Sequence, residues 1–209
     1  MDSFADLMFT DAVAVHQKAD GSYDRFQKMY ANRFKGDLGE DERTFIESRT
    51  SFYIASHNAD GWPYVQHRGG PVGFLKVIGP TRLGFADYAG NHQFVTQGNL
   101  DDDNRVSLFM MDYPRKARLK MLGHATMIAA SDDTGLAAQL ATEDGPEPER
   151  LVTIDIAAMD WNCPKYIEPR FTEAEIAAML GPRIKALEER NVELEAELAH
   201  YRKQSGSTQ

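Results

Sequence analysis

Six or seven short segments in the middle of the chain alternate apolar and polar residues with a period of two, which is typical of β-strands. Turn residues such as Asn58-Ala59-Asp60-Gly61 separate them, and few helical patterns intervene. Strands that follow one another so closely favour antiparallel pairing over the long crossovers of a parallel sheet. The sequence therefore predicts a mainly β, antiparallel barrel with flanking helices. The predicted strands cover residues 52–56, 62–68, 74–78, 82–86, 105–111, 118–129 and 151–159.

Helical patterns lie mainly at the two ends of the chain. Residues 1–40 are interpreted as an N-terminal helical arm, with a helix over 11–30 that is interrupted near Gly21. A second helix is predicted over 41–48, and a short one over 91–97. We expect three parts: the arm, a barrel domain over residues 41–170, and a C-terminal helix with a frayed tail over 171–209.

The C-terminal helix has a heptad pattern. Apolar residues recur at the a and d positions, and Asn191 occupies one a position, which favours a two-stranded coil in register. In a parallel coil, each g residue faces the e residue five positions later on the partner. The three such pairs are opposite in sign: Arg183–Glu188, Arg190–Glu195 and Glu197–Arg202. Gly181-Pro182 is expected to open the paired segment. A single amphipathic helix packed on its own domain remains the alternative.

The net charge of the chain excludes some classes of binding partner from what we expect. With 23 basic and 32 acidic residues the net charge is −9, and no long basic run is present, so neither nucleic acid nor an anionic membrane is an expected partner. No apolar run is long enough to span a bilayer. The single cysteine, Cys163, cannot form an internal disulfide, and its interpretation is a packed thiol. A cytoplasmic location is the resulting expectation.

The first cluster with candidate chemistry is the segment from His67 to Phe74. Arg68 is followed directly by Gly69 and Gly70, which puts a fixed positive charge beside backbone without side chains. Glycine lets backbone N–H groups approach an anion, and arginine can bind phosphate with two hydrogen bonds. The alternative interpretation of this segment is a tight turn with an exposed arginine.

Two further clusters lie beside predicted strands. One runs from Asp87 to Gln93, with Gly98-Asn99-Leu100 after it, and offers polar side chains and a helix N-terminus suited to an anion. The other is Trp161-Asn162-Cys163-Pro164-Lys165-Tyr166-Ile167, directly after the last strand. No pair of histidines has metal-ligand spacing, so no metal site is predicted.

Taken together, these segments resemble the pyridoxamine 5′-phosphate oxidase-like proteins, which are FMN-binding split β-barrels. The resemblance covers residues 45–167, and the ending from Trp161 to Ile167 resembles an uncharacterised bacterial branch. It implies a homodimer with two FMN molecules at the subunit interface. It also implies an FMN-dependent oxidoreductase that acts on a small-molecule substrate.

The resemblance also assigns roles to residues. Arg68 would contact the FMN phosphate, and Gly69 and Gly70 would lie against the flavin. The loop from Asn91 to Gln93 would supply a second phosphate-binding group. Trp161 and Lys165 would come from the region that closes the site, over the partner's flavin. The full set of cofactor-binding candidates is His67, Arg68, Gly69, Gly70, Asp87, Tyr88, Asn91, His92, Gln93, Asn99, Trp161 and Lys165.

The sequence departs from the vitamin-synthesising oxidase at two cationic positions. Gly69-Gly70-Pro71 stands where that enzyme has an apolar run ending in lysine, and Gly90-Asn91-His92 stands where it has Ser-Arg-Lys. Oxidation of pyridoxamine phosphate is therefore disfavoured, and the substrate stays open. Three alternatives also stay open: a non-catalytic flavin-binding protein, a deazaflavin in place of FMN, and a haem-handling protein that uses His67, His92 or His124.

Overall fold

A computed structural model describes residues 1–31, 33, 36–161 and 164–206 of the chain. In these residues, seven β-strands form one sheet in the order β2-β1-β5-β6-β7-β4-β3, and each neighbouring pair is antiparallel. The mainly β, antiparallel fold with flanking helices is confirmed. The strands are β1 (Ser51–His57), β2 (Pro63–Gly69), β3 (Lys76–Gly79), β4 (Arg82–Asp87), β5 (Arg105–Asp112), β6 (Ala117–Ala129) and β7 (Arg150–Trp161).

The sheet curls on itself into a split barrel, so that β1 and β2 approach β4. The rings of Phe52 on β1 and Phe85 on β4 pack edge to face with centroids 5.5 Å apart, and Phe74 stacks on Phe52 at 5.8 Å. These rings belong to a core cluster whose fully buried members include Leu108 and Ile154. Burial of this apolar surface is the main stabilising contribution to the fold.

The pairing of the two longest strands is irregular at Gly123. Between Leu122 and Gly123 the partner on β7 changes from Ala158 to Ile156, so β7 has an extra residue there, which is a bulge. A Cβ atom at position 123 would lie 2.6 Å from the carbonyl oxygen of Asp155, so the close approach of the strands there requires glycine. A bulge bends its strand and increases the local twist. Gly123 therefore contributes to the curvature that brings β2 towards β4.

Seven α-helices occur in the described residues. The interrupted helix over 11–30 is confirmed as α2 and α3, and Gly21 ends α2 with φ +75°. The helix predicted over 91–97 begins later, at Val95, because residues 88–94 form a loop. The helix α1 was not predicted from the sequence, and Ser3 and Asp6 cap it reciprocally. The helices are α1 (Phe4–Met8), α2 (Asp11–Asp20), α3 (Tyr23–Tyr30), α4 (Glu40–Glu47), α5 (Val95–Asp102), α6 (Thr134–Leu140) and α7 (Glu173–Gly206).

A buried polar contact fixes the N-terminal helices to the sheet. The hydroxyl of Tyr30 donates to Asp160 Oδ1 at 2.9 Å, and Lys120 Nζ lies 3.4 Å from Asp160 Oδ2. Burial and the neighbouring carboxylate raise the pKa of Tyr30 to about 12. Phe4 packs in the same cluster as Tyr30, and Lys120 Nζ lies over the Phe4 ring. Residues 1–30 are therefore part of the compact unit that contains the sheet, which spans residues 1–167.

A second unit spans residues 168–209 and contains α7. The predicted C-terminal helix is confirmed as one continuous helix. Pro182 was expected at the start of the paired segment, but it lies inside α7 because the helix already begins at Glu173. None of the described helices is long and apolar enough to cross a membrane. Cys163 lies outside the described residues.

Candidate functional site

A charged cluster joins the ends of three strands. Arg68 Nη1 on β2 lies 2.5 Å from Asp87 Oδ1 on β4, and Arg150 Nε on β7 donates to Asp87 Oδ2 at 2.9 Å. The side chains of these three residues are between 10% and 21% exposed. Glu149 adds a second carboxylate, 3.1 Å from Arg150 Nη1. The cluster therefore has two positive and two negative groups and is neutral overall.

Strand pairing explains why these residues meet. Asp87 is the last residue of β4 and lies directly opposite Arg150, the first residue of β7. The backbone N–H of Glu149 donates to the carbonyl of Asp87 at 3.0 Å, which holds this end of the pair together. Arg68 comes from the other side of the strand order, and the curl of the sheet brings it to Asp87. The cluster therefore lies at the split in the barrel.

Arg68 lies between two clefts and lines both of them. Asp87, Tyr88 and Gly90 also line both clefts. We call one the arginine cleft, because it also contains Arg150, and the other the glycine cleft, because it also contains Gly69 and Gly70. The further residues that line the arginine cleft include Tyr64, Gln66, Asn91, His92, Gln93, Phe94, Val95 and Met127. The further residues that line the glycine cleft include His67, Pro71, Phe74, Phe85 and Thr142.

One donor of Arg68 is left without a partner. Its Nε is buried and has no hydrogen-bond acceptor among the described residues. Two other buried side-chain atoms in the described part of the chain also lack a hydrogen-bond partner, the acceptor Gln17 Oε1 and the donor Arg118 Nε, and neither residue lines either cleft. A buried guanidinium N–H without an acceptor is costly, and an anionic ligand that reached Nε would supply the acceptor.

The loop after β4 forms one wall of the arginine cleft. His92 and Phe94 both have φ near +54°, in the left-handed region, and their rings lie 5.6 Å apart. Phe94 gives α5 no side-chain cap, so the first N–H groups of α5 are not capped by the residue that precedes the helix. The first turn of α5 lines the arginine cleft. The cleft thus combines a helix N-terminus, which suits an anion, with two arginines whose charges are balanced by Asp87 and Glu149.

The glycines after Arg68 are explained in part by packing. A Cβ atom on Gly70 would lie 2.6 Å from Cγ of Phe74, so the buried Phe74 ring requires glycine there. A Cβ atom on Gly69 would lie 3.1 Å from Cε1 of His67. Both glycines line the glycine cleft, as does His67. The space that a side chain at position 70 would need is therefore filled by Phe74, which also lines the glycine cleft.

Tyr88 closes the opposite wall through a hydroxyl contact. Its oxygen lies 2.8 Å from Thr142 Oγ1 and accepts from the backbone N–H of Thr142 at 3.1 Å. Since the hydroxyl makes two hydrogen bonds to Thr142, the ring of Tyr88 is held in place where the two clefts meet.

Comparison with known proteins identifies the family. The family model described as pyridoxamine 5′-phosphate oxidase matches residues 38–163, which is more than half of the chain. This chain belongs to the pyridoxamine 5′-phosphate oxidase family. No curated protein sequence matches it.

Solved structures of similar proteins are distant in sequence. A protein described as a putative pyridoxamine 5′-phosphate oxidase of Lactobacillus delbrueckii is 22% identical, covers 59% of this chain and 93% of its own, and has a TM-score of 0.47. HupZ of Group A Streptococcus is 12% identical, with 64% and 99% covered and a TM-score of 0.47. A protein described as an F420 reductase is 15% identical, with 59% and 98% covered and a TM-score of 0.41.

The structure brings nine of the twelve candidate residues to the two clefts, and three lie elsewhere. Asn99 is buried on α5, where its amide donates to Ser56 Oγ at 2.8 Å. Trp161 donates from Nε1 to Glu42 at 2.8 Å. Lys165 is exposed, with Nζ 5.0 Å from the centre of the Tyr166 ring. The nine at the clefts are His67, Arg68, Gly69, Gly70, Asp87, Tyr88, Asn91, His92 and Gln93.

Several residues of the arginine cleft were not predicted from the sequence. Gln66 and Tyr64 lie on the same face of β2 as Arg68, and the period of two from Arg68 was a signal that could have found them. Arg150 was not identifiable in this way. Its place opposite Asp87 depends on the pairing of β4 with β7, strands that are separated by more than 60 residues of chain.

The candidate haem ligands do not converge. His67 lines the glycine cleft and His92 lines the arginine cleft, whereas His124 on β6 bonds to Asn104 at 3.0 Å and lines neither. In the part of the chain that the structure describes, no three His, Cys, Asp or Glu residues are grouped as a metal site would require.

Proposed function

We propose that this protein is an FMN-dependent oxidoreductase in which Arg68 binds the flavin phosphate. The buried, unpartnered Nε of Arg68 is the observation that carries the proposal, because it is a charged donor in need of an acceptor at a cleft. Asn91 and His92 border the same cleft and would supply further polar contacts to the phosphate. When bound, FMN would supply the redox chemistry, and the protein would supply binding and orientation.

We further propose that the complete site forms between two copies of the chain. The cavity volumes of the arginine and glycine clefts are about 90 and 260 Å³. Both are below the roughly 300 Å³ at which ligand pockets for drug-sized molecules begin. On the outer face of β1 and β2, Tyr53 is 42% exposed and Val65 is 61% exposed, which offers apolar surface for a partner. Trp161 and Lys165, which line neither cleft of their own chain, would then help to close the partner's site.

The same proposal covers substrate and location. The substrate would be a small molecule that reaches the flavin through the glycine cleft, whose walls include Phe74 and Phe85. The sole cysteine suits a reducing compartment, so the proposed location is the cytoplasm.

The test begins with the absorption spectrum of the purified protein and mass analysis of what it releases on heating. We expect a flavin spectrum and about one FMN per chain, followed by oxidation of NAD(P)H in turnover assays. A colourless protein that takes up no FMN on reconstitution would contradict the proposal. Bound FMN without turnover would show a non-catalytic flavin protein, a released deazaflavin would change the cofactor, and a stoichiometric Soret band on haem titration would favour haem handling.

The role of Arg68 is tested separately by Arg68→Ala. Loss of charge-assisted hydrogen bonds worth about 1.5–3 kcal/mol would weaken FMN binding roughly 10- to 100-fold in equilibrium titrations. Arg82→Ala is the matched control, because Arg82 on β4 pairs with Asp155 and lines neither cleft. Equal affinity in the two variants would remove Arg68 from the phosphate site.

A further inference from the structure

The helix α7 exposes a continuous apolar stripe. Five aliphatic side chains at its a and d positions are between 45% and 62% exposed, and Tyr201 continues the stripe at 65%. A helix of 34 residues with an uncovered stripe at heptad spacing is typical of a coiled-coil strand that lacks its partner. The five side chains are Leu180, Ile184, Leu187, Leu194 and Leu198.

The charged residues beside the stripe indicate which kind of helix can pair with α7. In a parallel, in-register pair of identical helices, g residues face e residues of the partner five positions later. Each such pair in α7 joins opposite charges: Arg183 with Glu188, Arg190 with Glu195, and Glu197 with Arg202. Symmetry repeats each pair on the other side of the coil. We propose that α7 pairs, parallel and in register, with α7 of a second copy of this chain.

Two other positions agree with this arrangement. Asn191 is the one polar residue at an a position between Ile184 and Leu198, and a single buried asparagine there specifies two strands in register. Pro182 falls at an f position, on the side of the helix away from the stripe. The backbone hydrogen bond that proline removes is therefore lost on the outer side, where water can replace it.

Within one chain, Arg190 already pairs along its own helix. Its Nη1 lies 2.8 Å from Glu193 and 3.8 Å from Glu197. All three side chains are more than half exposed, so these contacts contribute little and can be exchanged for the pair with Glu195 of the second copy. The pairing is independent of what the two clefts bind.

A cysteine crosslink in the full-length chain tests both contact and direction. In a Cys163→Ser background, Tyr201→Cys places a thiol at a d position near the end of the stripe. We expect rapid disulfide dimer formation on mild oxidation, measured on non-reducing gels, because parallel helices bring the two 201 positions together. Antiparallel helices would put them at opposite ends. Ala196→Cys, at an f position, is the control, and crosslinking no faster than in this control would overturn the proposal.

Charge reversal tests the pairing rule through the same crosslink. Arg190→Glu would place like charges opposite each other twice in the dimer, and we expect it to slow the crosslink at 201 roughly tenfold at low salt. Adding Glu195→Arg should restore the rate. Lys185→Glu is the matched control, since it makes the same charge change at a b position away from the partner. Equal slowing by Lys185→Glu, or no recovery in the double variant, would overturn the proposal.

Discussion

Among the described residues, two clusters place an aspartate between two arginines, and only one of these clusters has a buried donor without an acceptor. Asp112 accepts from Arg49 Nη2 at 2.8 Å and from Arg115 Nη1 at 3.2 Å. Asp87 accepts in the same way from Arg68 and Arg150. The two sites share their chemistry, so the difference between them lies in how completely each arginine is satisfied.

Arg49 uses all three of its guanidinium nitrogens. Nε donates to the carbonyl of Phe45, Nη1 to the carbonyl of Met111, and Nη2 to Ser48 and Asp112. Arg68 leaves Nε without an acceptor and borders two clefts. The first cluster is therefore a structural contact between α4 and β5, and the second has capacity for a ligand. A count of buried ion pairs would not separate them.

The largest expected effect is on the satisfied cluster. Asp112→Ala removes a carboxylate that is 3% exposed and leaves Arg49 buried without its charge partner. We expect the free energy of unfolding to fall by about 3–5 kcal/mol, measured by urea denaturation. FMN affinity per folded molecule should not change. A loss below about 1 kcal/mol would show that this cluster is not the structural one.

Asp87→Asn should affect the second cluster in two opposite directions. The ligand-free protein should lose about 1–3 kcal/mol of stability, because two arginines lose a shared counter-charge. FMN affinity should rise several-fold at low salt, since a negative charge beside the phosphate is gone. The increase in melting temperature that FMN causes, compared between wild type and variant, measures the change in affinity. Unchanged or weaker affinity would contradict a phosphate position beside Arg68.

A third buried contact gives a prediction about pH. The pKa of Tyr30 is raised to about 12 in the folded protein from an ordinary value of 10, so its contribution is complete below pH 10 and is lost as the pH rises towards 12. Tyr30→Phe should cost about 1–2 kcal/mol at pH 8, where the hydrogen bond to Asp160 is intact. The difference in unfolding free energy between wild type and variant should shrink between pH 10 and 12. A constant difference would contradict this linkage.

The smallest effect is expected at the exposed member of the satisfied cluster. The side chain of Arg115 is 78% exposed, and Asp112 keeps its bond to the backbone N–H of residue 115 after the substitution Arg115→Ala. The unfolding free energy should fall by less than about 1 kcal/mol, and less still in high salt. A loss as large as that of Asp112→Ala would mean that Arg49 alone cannot hold the carboxylate.

Local patterns predicted the strands well because a strand with one buried face must alternate. The alternation of Leu119 and Met121 with Arg118 and Lys120, for example, corresponds to buried and half-buried residues on β6. The resemblance located the candidate segments around Arg68 and Asp87. The contact between these two residues could not be predicted from the sequence, because the contact depends on the curvature of the sheet.

Three other features of the site also depended on strand pairing or backbone conformation, which local sequence patterns do not reveal. Arg150 became part of the site only through its register opposite Asp87. The start of α5 at Val95 depended on left-handed backbone at His92 and Phe94, conformations that side-chain patterns do not reveal. Asn99 looked like a cleft residue by its neighbours in sequence, yet its amide faces Ser56. Local chemistry is readable from the chain, whereas contacts between distant strands are not.

The bulge at Gly123 has a consequence for anyone who wishes to change what the clefts accept. A side chain at 123 would push β6 away from the backbone of β7 at Asp155, and the bend of both strands would have to change. Since that bend contributes to the curl that brings β2 towards β4, the width of the clefts depends in part on a position that lines neither cleft. A mutational library for new ligands should therefore keep glycine at position 123 and vary the residues around Arg68.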